Sequence, residues 1–207
     1  MIIAVDGPAA SGKGTIARAL AAHFGLPYLD TGLLYRAVGL AVLRQGGHPD
    51  RESDALRACA FSDAMLEDSG IRSEAASRAA SIVSAHPAVR AALLSRQRNF
   101  ASQPSGAVLD GRDIGTVIAP NADAKIYVTA SPAVRAQRRL AEMINAGEQV
   151  TFDHVRANID ARDARDAARA TAPLLAADDA DLLDTSDVAI GAAVRQAIAL
   201  VEARVKP

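Results

Sequence analysis

Cysteine, lysine and tryptophan are all scarce in this 207-residue chain. The single cysteine, Cys59, excludes an internal disulfide and leaves no second thiol for a zinc cluster. Tryptophan is absent, and four Phe and three Tyr offer little stacking surface for single-stranded nucleic acid. A formal net charge of -1 lacks the basic excess of a general nucleic-acid binder. No apolar run approaches the ~20 residues needed to span a bilayer. The opening MIIAVDGP lacks the basic start and long apolar stretch of a secretory leader. The expectation is a cytoplasmic protein with no membrane or nucleic-acid partner, monomeric because no exposed apolar stripe demands company. A composition 50% hydrophobic and 23% charged fits a folded globular chain.

Only three of the 23 cationic residues are lysine, at Lys13, Lys125 and Lys206. Arginine is therefore the ordinary surface cation, which discounts any single arginine cluster and asks why a lysine is kept at all. Ile2–Val5 reads as a buried parallel strand ending in Asp6-Gly7. A helix follows from Gly12, with Ile16, Leu20 and Phe24 on one face and Gly25 as its stop. Further strands are predicted at 26–30, 107–110, 124–129 and 181–184. Helices are predicted at 33–44, 73–84, 88–100, 131–146 and 151–168, with another at the C-terminus. Residues 48–72 show no clear period and read as a helical or looped insert. Strands alternating with helices imply an α/β sandwich around a parallel sheet of about five strands, in one domain.

The segment Gly7-Pro8-Ala9-Ala10-Ser11-Gly12-Lys13-Gly14-Thr15 joins the first strand to the first helix, the setting that a phosphate-binding loop requires. Its glycines let successive backbone N–H groups point at phosphate oxygens, and the helix N-terminus adds its positive end. Lys13 suits the β- and γ-phosphates as a slim point charge, which accounts for one rare lysine. The Ser/Thr that usually follows the lysine is replaced by Gly14, with Thr15 one place later.

Three further segments sit downstream: Leu29-Asp30-Thr31-Gly32-Leu33-Leu34-Tyr35-Arg36, Asp110-Gly111-Arg112-Asp113-Ile114-Gly115-Thr116-Val117, and Arg162-Asp163-Ala164-Arg165-Asp166 leading to Arg169 and Pro173. With the Gly-Lys-Gly-Thr loop, and in this order, they closely resemble the bacterial cytidylate kinases over nearly the whole chain. The resemblance implies a P-loop kinase three-layer sandwich over residues 1–207, with a monophosphate-binding insert at about 31–100 and a lid at about 140–166. It implies transfer of the ATP γ-phosphate to CMP or dCMP with Mg2+. One departure is plain, since residues 59–72 are too few for the strand-rich insert common in that family.

By the same resemblance, residues 7–15 with Arg135 and Arg139 take ATP. Thr31, Tyr35, Arg36, Ser81, Arg90, Arg112, Asp113, Arg162, Asp166 and Arg169 take CMP. Lys13, Arg112 and Arg162 serve the transfer, and Asp110 holds Mg2+ directly or through water. Simpler readings compete. Thr31 could cap a helix, Tyr35 could pack, and Arg162, Asp166 and Arg169, at i, i+4 and i+7, could form a solvated salt-bridged face. Either Asp113 or Asp166 could accept from the cytosine amino group. The alternatives in function are a P-loop kinase for another acceptor such as UMP or AMP, and a slowly hydrolysing nucleotide switch.

Overall fold

The fold follows from a computed structural model, which describes residues 1–169 and 171–205; Lys206 lies outside them. Five strands form one parallel sheet in the order β2-β3-β1-β4-β5: β1 (Ile2–Asp6), β2 (Tyr28–Asp30), β3 (Ala107–Gly111), β4 (Ala124–Thr129) and β5 (Asp181–Asp184). The strand alternation of period two feeds both faces. In β1, Ile3 and Val5 face α1 (Lys13–Phe24) and α8 (Ile190–Val205), packing with Ile16, Leu20 and Val201. Ala4 points the other way, packing with Leu109, Ile114 and Ala101 of α5 (Pro87–Ala101). With both faces covered, β1 and β3 are apolar except towards their C-terminal ends, where Asp6 and Asp110 sit buried.

The strand order places the site. β1 lies between β3 and β4, so the loops leaving β1 and β3 open side by side at the carboxyl edge, with Val5 opposite Asp110 and Asp6 opposite Gly111. Two satellite layers flank that edge. Helices α2 (Thr31–Arg44), α3 (Glu52–Ala58), α4 (Glu74–Val83) and α5 share a core of Leu34, Val38, Val83, Val89 and Leu93. Helices α6 (Pro132–Asn145) and α7 (Phe152–Ala167) make a hairpin around Ala136, Met143, Val155 and Ile159. The 48–72 segment contributes α3 and two short 3-10 turns, Asp63–Glu67 and Ser69–Arg72.

Most predicted bounds fall within one or two residues of those observed. The sequence reading missed a π-helical turn at Ile114–Ile118 directly after Arg112-Asp113. The helix α7 ends at Ala167, close to its predicted bound, so it does not continue far enough to carry Arg169 on its face. The chain instead turns back, and the Leu174 amide donates to the Asp166 carbonyl at 3.0 Å. Lys125 also finds its explanation: it is buried, and its Nζ donates to the Pro120 carbonyl at 2.6 Å and to Asp179 Oδ1 at 2.8 Å. A thin side chain with a terminal charge can thread this route, where a guanidinium fork would not.

Candidate active site

The loop between β1 and α1 is held from behind. Arg135 Nη1 reaches the Ala9 carbonyl at 3.4 Å, and Thr185 Oγ1 donates to the Ser11 carbonyl at 2.9 Å. Arg138 Nη1 meets the same Ser11 carbonyl at 3.4 Å. Tying carbonyls outward leaves the loop amides for an anion. At Gly7 a Cβ would fall 2.0 Å from the Val128 carbonyl oxygen, so only glycine passes β4 there. Gly14 is constrained more mildly, because a Cβ would stand 3.1 Å from Asp110 Oδ2 and crowd that carboxylate. The replacement of the usual Ser/Thr thus has a physical reason: the room goes to the Asp110 carboxylate.

Asp110 is buried at the end of β3, and its Oδ2 accepts from Tyr28 Oη at 3.0 Å. Burial lifts its carboxyl to about 6; Lys13 opposes this and Asp30 adds to it. Burial, reinforced by Arg112, draws Lys13 down to about 8 against the pull of Asp110 and Asp30. Burial and then Arg112 lower Arg162 to about 9, with Asp166 opposing. Arg162 Nε is buried without a hydrogen-bond partner among the described residues. Cations this short of counter-charge mark a place prepared for an anion.

One cleft collects Ala9, Ala10, Gly12, Lys13, Gly14, Thr15, Arg36, Ser81, Asp110, Arg112, Arg139 and Arg162. The remaining sequence-predicted residues form a layer behind this lining. Thr31 Oγ1 donates to the Asp110 carbonyl at 2.7 Å, while the cap of α2 is Asp30, which accepts from the Gly32 amide. Tyr35 lies under Arg90, whose guanidinium carbon is 5.7 Å from the ring centre, and Arg90 pairs with Asp113 in a buried ion pair. Asp166 is fully buried and accepts from Arg112 Nε at 2.9 Å and from Arg169. Burial pushes its carboxyl up, but Arg112, Arg169 and Arg162 outweigh that and hold it below the usual carboxylate range. Arg169 therefore joins the cluster although it has left the helix, and it also donates to Ser84 Oγ at 2.8 Å. Arg36 is anchored by the Ile71 carbonyl and Ser77 Oγ, each at 3.2 Å. Arg135 packs beneath the phosphate loop, paired with Asp163 at 2.6 Å.

Several lining residues escaped the sequence reading. Arg18, Asp30, Ser77, Arg78 and Arg165 border the same cleft, and Arg165 Nε donates to Ser81 Oγ at 3.1 Å. A second cleft opens on the far side of the loop, between α6 and the start of α8, lined by Gly12, Thr15, Arg138, Asn145, Thr185 and Ile190. A sequence signal did exist for Thr185, which directly follows the last strand at the carboxyl edge of the sheet. Among the described residues no three His, Cys, Asp or Glu side chains gather as a metal cage, and no helix is long and apolar enough to cross a membrane.

Comparison with known proteins agrees with this geometry. The chain resembles in fold a solved uncharacterized protein from Eubacterium ventriosum, at TM-score 0.59 and 17% identity over 98% of both chains. It also resembles a gluconokinase from Sinorhizobium meliloti, at TM-score 0.53 and 15% identity over 98% of this chain and 91% of that one. Sequence relatives are much nearer. A cytidylate kinase of Xanthobacter autotrophicus is 58% identical over 99% of this chain and 98% of its own length. One of Methylocella silvestris is 56% identical over 98% and 94%. The family model for cytidylate kinase matches residues 3–203. With a loop, a carboxylate and an arginine cluster arranged as described, and with this match along its length, the chain belongs to the cytidylate kinase family.

Proposed function

We propose that this protein transfers the γ-phosphate of ATP to CMP or dCMP, giving ADP and CDP or dCDP. The observation that carries the reading is the single cleft in which Lys13 and the phosphate loop face Arg36, Arg112, Arg139 and Arg162, with Asp110 between them. ATP and CMP together bring about six negative charges into one site, and their mutual repulsion is the main obstacle to transfer. Arg36 and Arg112 meet that charge already oriented, by the Ile71 carbonyl with Ser77 and by Asp166, while Lys13 and Arg162 are held in the cleft by burial.

ATP would lie with its phosphates over the loop amides and Lys13. Its base would enter the second cleft, beside Arg138 and Thr185. CMP would enter between α4 and α7, its phosphate among Arg36, Arg112 and Arg162 and its base toward Ser81 and Arg165. A phosphate monoester is already largely dianionic near neutral pH, its second pKa being about 6, so its oxygen attacks the γ-phosphorus without a general base. Asp113 and Asp166 are both paired with arginine, and act on the acceptor by setting Arg90, Arg112 and Arg169.

Mg2+ fits the donors present. Asp110 offers a hard carboxylate with Asp30 beside it, and an ion that keeps waters and phosphate oxygens needs no fuller protein cage. Bound there, it would neutralise charge on the phosphates. Residues 31–100 form the acceptor wall and about 140–166 a lid that excludes water, so that ATP is not hydrolysed. The chain acts in this reading as a monomer in the cytoplasm. Acceptor-dependent ADP release, measured with CMP, dCMP, UMP and AMP, tests it: CMP and dCMP should lead, and preference for UMP or AMP would overturn the acceptor assignment.

A further inference from the structure

Asp6 has no role in the account so far, yet it sits where the two halves of the site meet. It is the last residue of β1 and so the entry to the phosphate loop, and it is buried. Its carboxylate makes no ion pair among the described residues. Oδ1 accepts from the Ile114 amide and Oδ2 from the Gly115 amide, each at 2.8 Å. These are the first two amides of the π-helical turn, which immediately follows Arg112-Asp113. A Cβ at position 115 would stand 3.4 Å from Asp6 Oδ2 and 3.1 Å from Lys125 Cδ, so glycine lets this amide approach closely.

The cost of the arrangement is visible. Burial raises the Asp6 carboxyl to about 7; the Gly115 and Ile114 amides and Arg112 oppose this, and Asp113 adds to it. An apolar or amide side chain would be the stable choice for such a position, unless a bidentate anion has a task. The two amides supply one. A single planar acceptor gripping consecutive N–H groups fixes both the position and the direction of the turn, and with it the preceding Arg112 and Asp113.

We infer that Asp6 is a positioning residue for the acceptor half of the site. It couples the strand that carries the phosphate loop to the turn that aims Arg112 at CMP and holds Asp113 against Arg90. This rests on the proposed reading of the cleft. An asparagine at position 6 keeps one acceptor but turns an NH2 toward the second amide, which loosens the turn while leaving β1 in place.

The test is steady-state kinetics of Asp6→Asn with ATP and CMP varied separately, beside a melting curve at pH 8. The expected result is a KM for CMP raised on the order of tenfold, with kcat reduced and the KM for ATP within about twofold of the parent. A folded variant with unchanged KM for CMP and unchanged kcat would overturn the inference, as would equal rises in both KM values, which would place the defect in the phosphate loop. If wild-type protein does not phosphorylate CMP, it is the proposed function that fails, and the two failures are thereby distinguished. Should Asp6→Asn not fold, deuterium exchange on the wild type carries the test. The Ile114 and Gly115 amides should gain protection when CMP binds, and no change would overturn the inference.

Discussion

Replacing Asp166 with alanine removes the carboxylate that Arg112 and Arg169 share within the arginine cluster. Asp166 has no solvent exposure, takes Arg112 at 2.9 Å and Arg169 on its other oxygen, and is felt by Arg162 one turn earlier on α7. Alanine would leave Arg112 and Arg169 partly buried and without their shared counter-charge, in the company of Arg90 and Arg162. Breaking a buried pair from one side costs about 3–5 kcal/mol. For a chain of this length each kcal/mol moves the melting temperature by roughly 2–4 °C, so the free protein should melt roughly 6–20 °C lower. Saturating CMP, a dianion placed among the same cations, should recover part of that loss, whereas the wild type gains only the ordinary binding stabilisation. Calorimetry or dye-based melting on both proteins, with and without CMP, measures this directly. A shift below about 2 °C would show that the arginines relax into solvent, and that the cluster is a surface salt-bridge face after all.

Lys13→Ala should lower kcat by about 10²-fold or more with the fold intact, and near-normal turnover in single-turnover assays would remove Lys13 from the transfer step. Gly14→Ala should separate stability from activity. Alanine favours the helix by up to about 1 kcal/mol, but its Cβ crowds Asp110, so activity should fall at least about tenfold while the melting temperature holds or rises. Thr185→Val should raise the KM for ATP more than that for CMP, since Thr185 bonds the Ser11 carbonyl and lines the second cleft. Asp6 makes a prediction in pH. Its folded pKa of about 7 lies above its ordinary value of 3.8, so the folded chain binds this proton more tightly than the unfolded one. Raising pH from about 4 to 7 therefore strips it at the expense of folding, a penalty of order a few kcal/mol that stays at higher pH. Denaturation of wild type and Asp6→Asn across that range should show the wild type losing ground relative to the variant, and a constant difference would refute the shift.

The parts legible in the sequence are those fixed by local chemistry. The parallel strands announce themselves as short apolar runs, Ser131-Pro132 opens its helix with the Ser131 hydroxyl accepting from Val134 as its type suggests, and Gly-Lys-Gly-Thr places the loop. What the sequence could not show is how the arginines divide their labour. Arg36, Arg112, Arg139 and Arg162 line the cleft, but Arg90 and Arg135 are occupied by Asp113 and Asp163, and Arg138 by Thr185. No spacing rule separates these groups, because their partners come from elements 23 to 47 residues away. The same reason hid Asp6, whose partners lie 108 and 109 residues on and are backbone amides with no side-chain signature. Phosphate transfer explains why this second layer exists. Arginines left to themselves would repel one another out of the cleft before substrate arrived, and only buried carboxylates placed behind them hold the cluster together in its absence. The sequence reading placed Arg112, Asp113, Arg162, Asp166 and Arg169 in one site. The structure separates them: Arg112 and Arg162 face the cleft, while Asp166 behind them holds Arg112 and Arg169, and Asp113 holds Arg90.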